Sequence, residues 1–261
     1  MSNYYEGVTF KQIIEREVMN KEELHKKYTE ICKKYGVTVN IEFVAGEEEA
    51  QAIVGNTIRL NTDKISEADL EEFIAYNVRK ILLPNLVLST ERLTIRRFQP
   101  SDAKDCFAFL SDKETCYSDG GYEPFYEMNE DYHALMDKFA EQEMRKMVVL
   151  KETGKVVGTI HLMEVEDRAV EALEIGYVIA PEYQRKGYAY EAVSAVLNCL
   201  LQELHLDMVI GGAVESNRAS IRLLEKLGFQ FEGRKTKAFY HPELGVVDLQ
   251  YYVLGYNRER E

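Results

Sequence analysis

No apolar run in this 261-residue chain approaches the roughly 20 residues that span a bilayer, so no membrane helix is expected. Cysteine is sparse and scattered. Cys32, Cys106, Cys116 and Cys199 form no CxxC pair, which argues against a disulfide framework and for reduced, packed thiols. The five histidines, His25, His133, His161, His205 and His241, never fall at ligand spacing with one another, so no metal is expected. Cations are outnumbered, 32 Lys and Arg against 45 Asp and Glu, for a net charge of -13. That balance would repel nucleic acid and suits a cationic substrate, or simply keeps the chain in solution. The first thirty residues, with "KQIIEREVMNKEELHKK", lack the apolar centre of a secretion signal, so the cytoplasm is the expected location.

What is present is an ordinary globular composition, 46% hydrophobic and 30% charged, at a length that suits two unequal units. Residues 9–35 carry an interrupted apolar stripe through Ile13, Ile14, Leu24, Tyr28, Ile31, Cys32 and Tyr35, which predicts a helix. "VTVNIEFV" (37–44) alternates as a half-buried strand does, and Gly55-Asn56 within "AIVGNTIRL" (52–60) predicts a two-residue hairpin turn. Leu70, Phe73, Ile74, Asn77, Val78, Ile81 and Leu82 form a helical stripe that Pro84 is expected to stop. These elements predict a small α/β unit over residues 1–83 and a link at 84–90. The last helix of that unit resembles the active helix of small zinc peptidases. Tyr76, Asn77 and Lys80 stand where a metal would need ligands, so zinc chemistry is not supported.

From residue 91 to 261 the pattern predicts strands and helices around one twisted sheet. "RLTIRRF" (92–98) alternates as a strand, and a helix over 101–112 has Ser101 as its expected N-cap. A second helix is expected over 127–144, then a hairpin of 146–152 and 155–165, and a strand over 171–180. A helix over 187–203, a strand over 208–214, a helix over 217–227 and strands near 229–235 and 247–254 complete the expectation.

At the end of the 171–180 strand stands "PEYQRKGYAYEA" (181–192), two cations and a lone glycine where strand gives way to helix. A helix N-terminus presents unpaired amides and partial positive charge, a natural seat for phosphate. Gly187 lets an anion approach the chain closely, small Ala189 helps, and Arg185 and Lys186 add field. On this stretch alone the signal is weak, and a plain surface turn is the better reading.

The stretch resembles the Gln/Arg-x-x-Gly-x-Gly/Ala signature of the GNAT superfamily of N-acetyltransferases, through Gln184, Gly187 and Ala189. "ESNRASIRLLEKLGF" (215–229) resembles the second signature of that superfamily. "STERLTIRRFQPSDAKDCFAFLSD" (89–112) resembles the opening of its ribosomal-protein N-terminal acetyltransferase branch. The resemblance covers residues 89 to about 255. It implies an α/β GNAT fold, a mixed, mostly antiparallel twisted sheet flanked by helices, here preceded by the small α/β domain.

It also implies acetyl-CoA as co-substrate, held in a V-shaped split between two strands. Backbone groups of Tyr177, Val178 and Ile179 would pair with the pantetheine arm. The pyrophosphate would sit on amides from Arg185 to Tyr190, through Lys186, Gly187, Tyr188 and Ala189. Asn217 would bond the pantetheine arm while capping its helix.

Acetyl transfer to an amine needs a base, a polarised thioester carbonyl and a donor for the leaving thiolate. Glu174 is the candidate base, directly or through a water, because strand alternation puts it with Gly176 and Val178 on one face. A solvated strand carboxylate is the plain alternative, and Glu171 and Glu164 are weaker rivals nearer strand ends. The amide of Val178 or Ile179 is the family-implied oxyanion donor. Ser220 is the family-implied donor to the CoA sulfur, with a helix serine satisfying backbone groups as the plain alternative. Cys199, mid-helix, reads as packing.

Asp119, Glu123, Glu127, Glu130, Asp131 and Glu243 are acids expected around the acceptor groove, or else solvated helix faces. The resemblance points to a protein N-terminal amine or a small amine as acceptor. A GNAT-shaped module that binds CoA or a partner without catalysis stays open. So does a homodimer, a common arrangement among similar proteins.

Overall fold

Asn20 opens the first described helix, α1 (Lys21–Lys34), because its side chain accepts from the Glu22 and Glu23 amides at 3.0 Å. The Glu23 carboxylate answers on the Asn20 amide at 2.9 Å, a reciprocal capping box. The structure, a computed structural model, describes residues 19–46 and 49–255. The part of the expected 9–35 helix before Met19 lies outside the described residues. α1 buries Leu24, Tyr28 and Cys32 in the core.

β1 (Asn40–Val44), β2 (Gln51–Val54) and β3 (Thr57–Asn61) form a three-stranded sheet in the order β1-β3-β2. β1 runs parallel to β3, and the β2–β3 hairpin turns at Gly55 in the left-handed region, φ +59°. α2 (Leu70–Asn85) packs on α1 and β3. Pro84 does not stop it. A proline in the last turn forgoes only one helical bond, and other donors serve the exposed carbonyls there. Asn85 Nδ2 donates to the Ile81 carbonyl at 3.0 Å, and Lys146 Nζ to that of Pro84 at 2.8 Å.

The stretch expected as a link, 84–90, holds the end of α2 and a short strand, β4 (Leu88–Ser89). β4 is the edge of an eight-stranded sheet with β5 (Leu93–Arg96), β6 (Arg145–Leu150), β7 (Val156–Glu164), β8 (Ala172–Ile179), β9 (Met208–Val214), β10 (Gln230–His241) and β11 (Gly245–Gly255). The order is β10-β11-β9-β8-β7-β6-β5-β4, and every pairing is antiparallel except β8 with β9. A mixed, mostly antiparallel sheet is the predicted architecture.

α3 (Ala103–Leu110), α4 (Lys113–Asp119) and α5 (Glu130–Glu141) cover one face, where Phe109, Tyr132 and Met136 meet Met147 and Val178. α6 (Tyr188–Leu197), extended by a wide turn at 198–203, and α7 (Arg218–Lys226) cover the other. That second core is continuous with the first unit: Tyr28, Ile74 and Leu82 belong to one buried cluster with Val148, Val193 and Leu200.

Ser101 is not the cap of α3. A 3-10 turn at Pro100–Asp102 leads in, and Asp102 accepts from the Gln99 amide at 2.7 Å while Arg96 grips it at 2.7 and 2.9 Å. Ser101 falls inside that turn, which the charge-assisted Arg96–Asp102 pair holds in place, and no side chain caps α3. α4 was not foreseen. Among the described residues, no helix is long and apolar enough to cross a membrane.

Lys146 is 1% exposed and donates to the Pro84 and Glu143 carbonyls, both at 2.8 Å. Burial, then repulsion from Arg97, pushes its pKa down from 10.5 to about 7, with Glu143 opposing. Between those two values the unfolded lysine is charged and the folded one is not, so stability rises with pH there and is flat below about 7. Denaturant titrations of wild type are expected to gain on the order of 3 kcal/mol between pH 7 and 9.5 relative to Lys146→Met. Parallel curves for the two proteins would sink this account.

Candidate active site

β8 and β9 pair at only three positions, Ala172 with Met208, Leu173 with Val209 and Glu174 with Ile210. Beyond Glu174, β8 continues to Ile179 along β7, and β9 continues to Val214 along β11. The two strands therefore splay, leaving backbone groups of each without a strand partner across the gap. A cleft of about 500 Å³ opens there. Glu174, Tyr177, Val178, Ile179, Gln184, Arg185, Gly187, Tyr188, Ala189, Tyr190, Asn217 and Ser220 all line it, so the sequence-predicted residues converge on one place. Lys186 is the exception. Its ammonium sits over the Tyr183 ring at 5.3 Å, and it does not line the cleft.

The turn into α6 is held open by its backbone. Gln184 Nε2 donates to the Ile179 carbonyl at 2.9 Å, tying the turn to the end of β8. Arg185 and Gly187 both lie in the left-handed region, φ +56° and +85°. Only glycine adopts that conformation without cost, which suits Gly187 to this turn. The first helical bond reaches Gly187 from Glu191 at 3.0 Å, which leaves the amides before Glu191 without helical partners. This is a donor set suited to a diphosphate.

On the opposite wall Asn217 Oδ1 accepts from the Ser220 amide at 3.1 Å and starts α7. Tyr177 OH donates to the Ser220 carbonyl at 3.3 Å, joining β8 to α7 across the cleft. Burial pushes that phenol up to about 12, with Ser220 opposing, so it stays protonated.

Glu174 lies at the apex of the splay. Burial raises its pKa, Lys235 works against the rise and Asp167 adds to it. A Cβ at Gly212 would come within 3.0 Å of Glu174 Oε1, so the glycine on β9 makes room for the carboxylate. The rival Glu171 is ion-paired with Arg79, and Glu164 is exposed at the end of β7; neither lines the cleft. Cys199 is buried and its thiol is pushed up to about 12, as burial does to a packed thiol.

Of the acids expected around the acceptor, only Asp119 lines the cleft, with Asp112 and Glu114 of the unforeseen α4 region beside it. Glu123 takes the Tyr117 hydroxyl at 3.2 Å, and Glu243 is paired with Lys113 at 2.6 Å. Glu127, Glu130 and Asp131 are exposed. Burial raises the Asp119 pKa against the pull of Tyr122 OH, at 2.9 Å, and Arg145.

Sequence reasoning missed His161. It pairs with Gly176 across β7 and β8, and a Cβ at Gly176 would come within 2.2 Å of its Nε2. The imidazole lies over a residue with no side chain, at the cleft wall. Burial and then Arg145 push its pKa down to about 4, which keeps it neutral. The signal was strand register, which one sequence does not reveal.

A family model described as an acetyltransferase (GNAT) domain matches residues 92–230. The uncharacterized N-acetyltransferase YoaA of Bacillus subtilis is 35% identical over 153 residues, covering 56% of this chain and 84% of that protein. The [Ribosomal protein uS5]-alanine N-acetyltransferase of Escherichia coli is 25% identical over 171 residues, 58% of this chain and 81% of that one. A crystal structure of a GNAT-family acetyltransferase from Bacillus anthracis superposes with a TM-score of 0.57 at 29% identity, over 65% of this chain and 98% of that one.

Proposed function

This chain belongs to the GNAT acetyltransferase family and is an acyltransferase, and from that premise we propose that it moves an acetyl group from acetyl-CoA to a primary amine by direct attack in a ternary complex. The observation that carries the reading is the splay of β8 from β9, which gathers a half-buried carboxylate, a hydroxyl and a donor-rich helix start around one cleft.

Each residue has a task under this proposal. The amides from Arg185 to Tyr190, set by the left-handed turns at Arg185 and Gly187, hold the diphosphate. Backbone groups of Tyr177, Val178 and Ile179 take the pantetheine arm, with Asn217 beside it. An amide of Val178 or Ile179 polarises the thioester carbonyl. Glu174 takes the proton of the attacking amine, directly or through a water, so the nitrogen has a free electron pair. As the N–C bond forms the C–S bond breaks, and the Ser220 hydroxyl donates to the departing thiolate. His161 and Asp119 lie on the acceptor side, where a neutral acceptor of hydrogen bonds and a carboxylate would favour an ammonium group.

The acceptor is a protein N-terminal amine or a small amine, and relatives named for each kind match this chain. The test monitors thiol release from acetyl-CoA with N-terminal peptides and with small amines in parallel. Amine-dependent release that falls about tenfold in Ser220→Ala, with cofactor affinity held, is expected. Inertness toward every amine would overturn the proposal.

A further inference from the structure

Arg92 stands one residue before β5, outside the cleft, yet its contacts converge on the turn at residues 185–191. Its Nε and Nη2 grip Glu191 Oε2 at 2.7 Å each, and its own amide donates to Glu191 Oε1 at 2.9 Å. Thr90 Oγ1 donates to the same Oε1 at 2.6 Å. The guanidinium packs over the Tyr188 ring at 4.5 Å, and Nη1 donates to the Lys186 carbonyl at 3.0 Å. Glu191 is thereby held ionised. Burial would raise its pKa, but the bonds from Thr90 and Arg92 outweigh that and lower it.

The last of those bonds sets a direction. In a planar trans peptide the carbonyl of one residue and the amide of the next point opposite ways. With the Lys186 carbonyl drawn out to Arg92, the Gly187 N–H faces away from Arg92, and Gly187 lines the cleft while Lys186 does not. A peptide next to a left-handed glycine flips readily, since glycine tolerates either arrangement. A flipped 186–187 peptide would turn a carbonyl oxygen toward an anion.

We propose that Arg92, locked by Glu191 and Thr90, is a positioning residue for acetyl-CoA, fixing the 186–187 peptide so that its amide faces the diphosphate. This rests on the reading that the turn holds a diphosphate. Arg92 touches no substrate and acts through the backbone it orients.

The test compares two thioesters, acetyl-CoA and acetyl-pantetheine, which carries the same arm and acetyl group but no phosphate. Arg92→Gln is expected to weaken acetyl-CoA by about 10- to 50-fold in Kd and KM, the effect of losing a charge-assisted bond. At saturating acetyl-CoA, kcat should stay within about threefold, and kcat/KM for acetyl-pantetheine within about twofold. Glu191→Gln should do the same, and the double variant should lose little more than either single one. Arg92→Lys, which keeps the charge but not the fork, should recover part of the loss.

Equal losses with both thioesters would mean a general structural role and overturn the inference. Unchanged acetyl-CoA affinity in Arg92→Gln, with affinity lost in Gly187→Glu, would overturn it and leave the diphosphate reading standing. Retained affinity in Gly187→Glu would bring down that reading and the inference together.

Discussion

Gly187→Glu is expected to abolish measurable acetyl-CoA binding while the protein stays folded. Two effects combine. At φ +85° any side chain strains the backbone, and relaxation would rotate the amides around it. A Cβ there would lie 3.3 Å from Arg92 Nη2, so the new carboxylate would compete with Glu191 for that guanidinium. It would also set a negative charge where the diphosphate is proposed to sit. A loss of at least about 100-fold in affinity is expected from these terms together. Calorimetric titration reads it, and circular dichroism with thermal melting checks the fold. Binding within a few-fold of wild type would place the nucleotide elsewhere.

Glu174→Gln carries the second large effect. Glutamine keeps the size of the side chain and its clearance from Gly212 but cannot accept a proton. A fall in kcat of about 10²- to 10⁴-fold is expected, the range for removal of a general base. Because burial raises the Glu174 pKa, it is ionised only above a pH higher than an ordinary carboxylate requires. The wild-type rate should therefore fall on the acid side with a limb above 4.5, and the variant should lose that limb. A variant that turns over within about threefold of wild type, with the limb intact, would remove Glu174 from proton transfer.

Much of this was legible because it is local. Alternation in "ALEIGYVI" reveals β8, and Gly187 directly after the polar run Gln184-Arg185-Lys186 marks the turn. Asn217 is a cap by residue type and a cap in the structure. The features that were missed depend on partners far away in sequence. The His161–Gly176 contact needs the β7–β8 register, and the Arg92–Glu191 clamp joins residues 99 positions apart. Lys186 was expected to add positive field at the turn, and its ammonium sits over the Tyr183 ring, away from the cleft lining.

Local rules also fail where a stronger neighbour intervenes. Ser101 is a good cap by type, yet it falls inside the 3-10 turn that Arg96 and Asp102 hold ahead of α3, and no side chain caps that helix. Pro84 breaks helices in general, but Lys146 reaches its carbonyl from another strand. α4 spans only Lys113–Asp119, too short to show a stripe, and Asp112 nucleates it by accepting from the Thr115 amide at 2.9 Å.

The buried cluster that runs from Tyr28 and Ile74 through to Val193 and Leu200 has a consequence for how this enzyme can be taken apart. The leading segment is upholstery on the transferase. Cut away, it would strip the greasy underside of β5 and β6 and leave a sticky remnant in place of a smaller working enzyme.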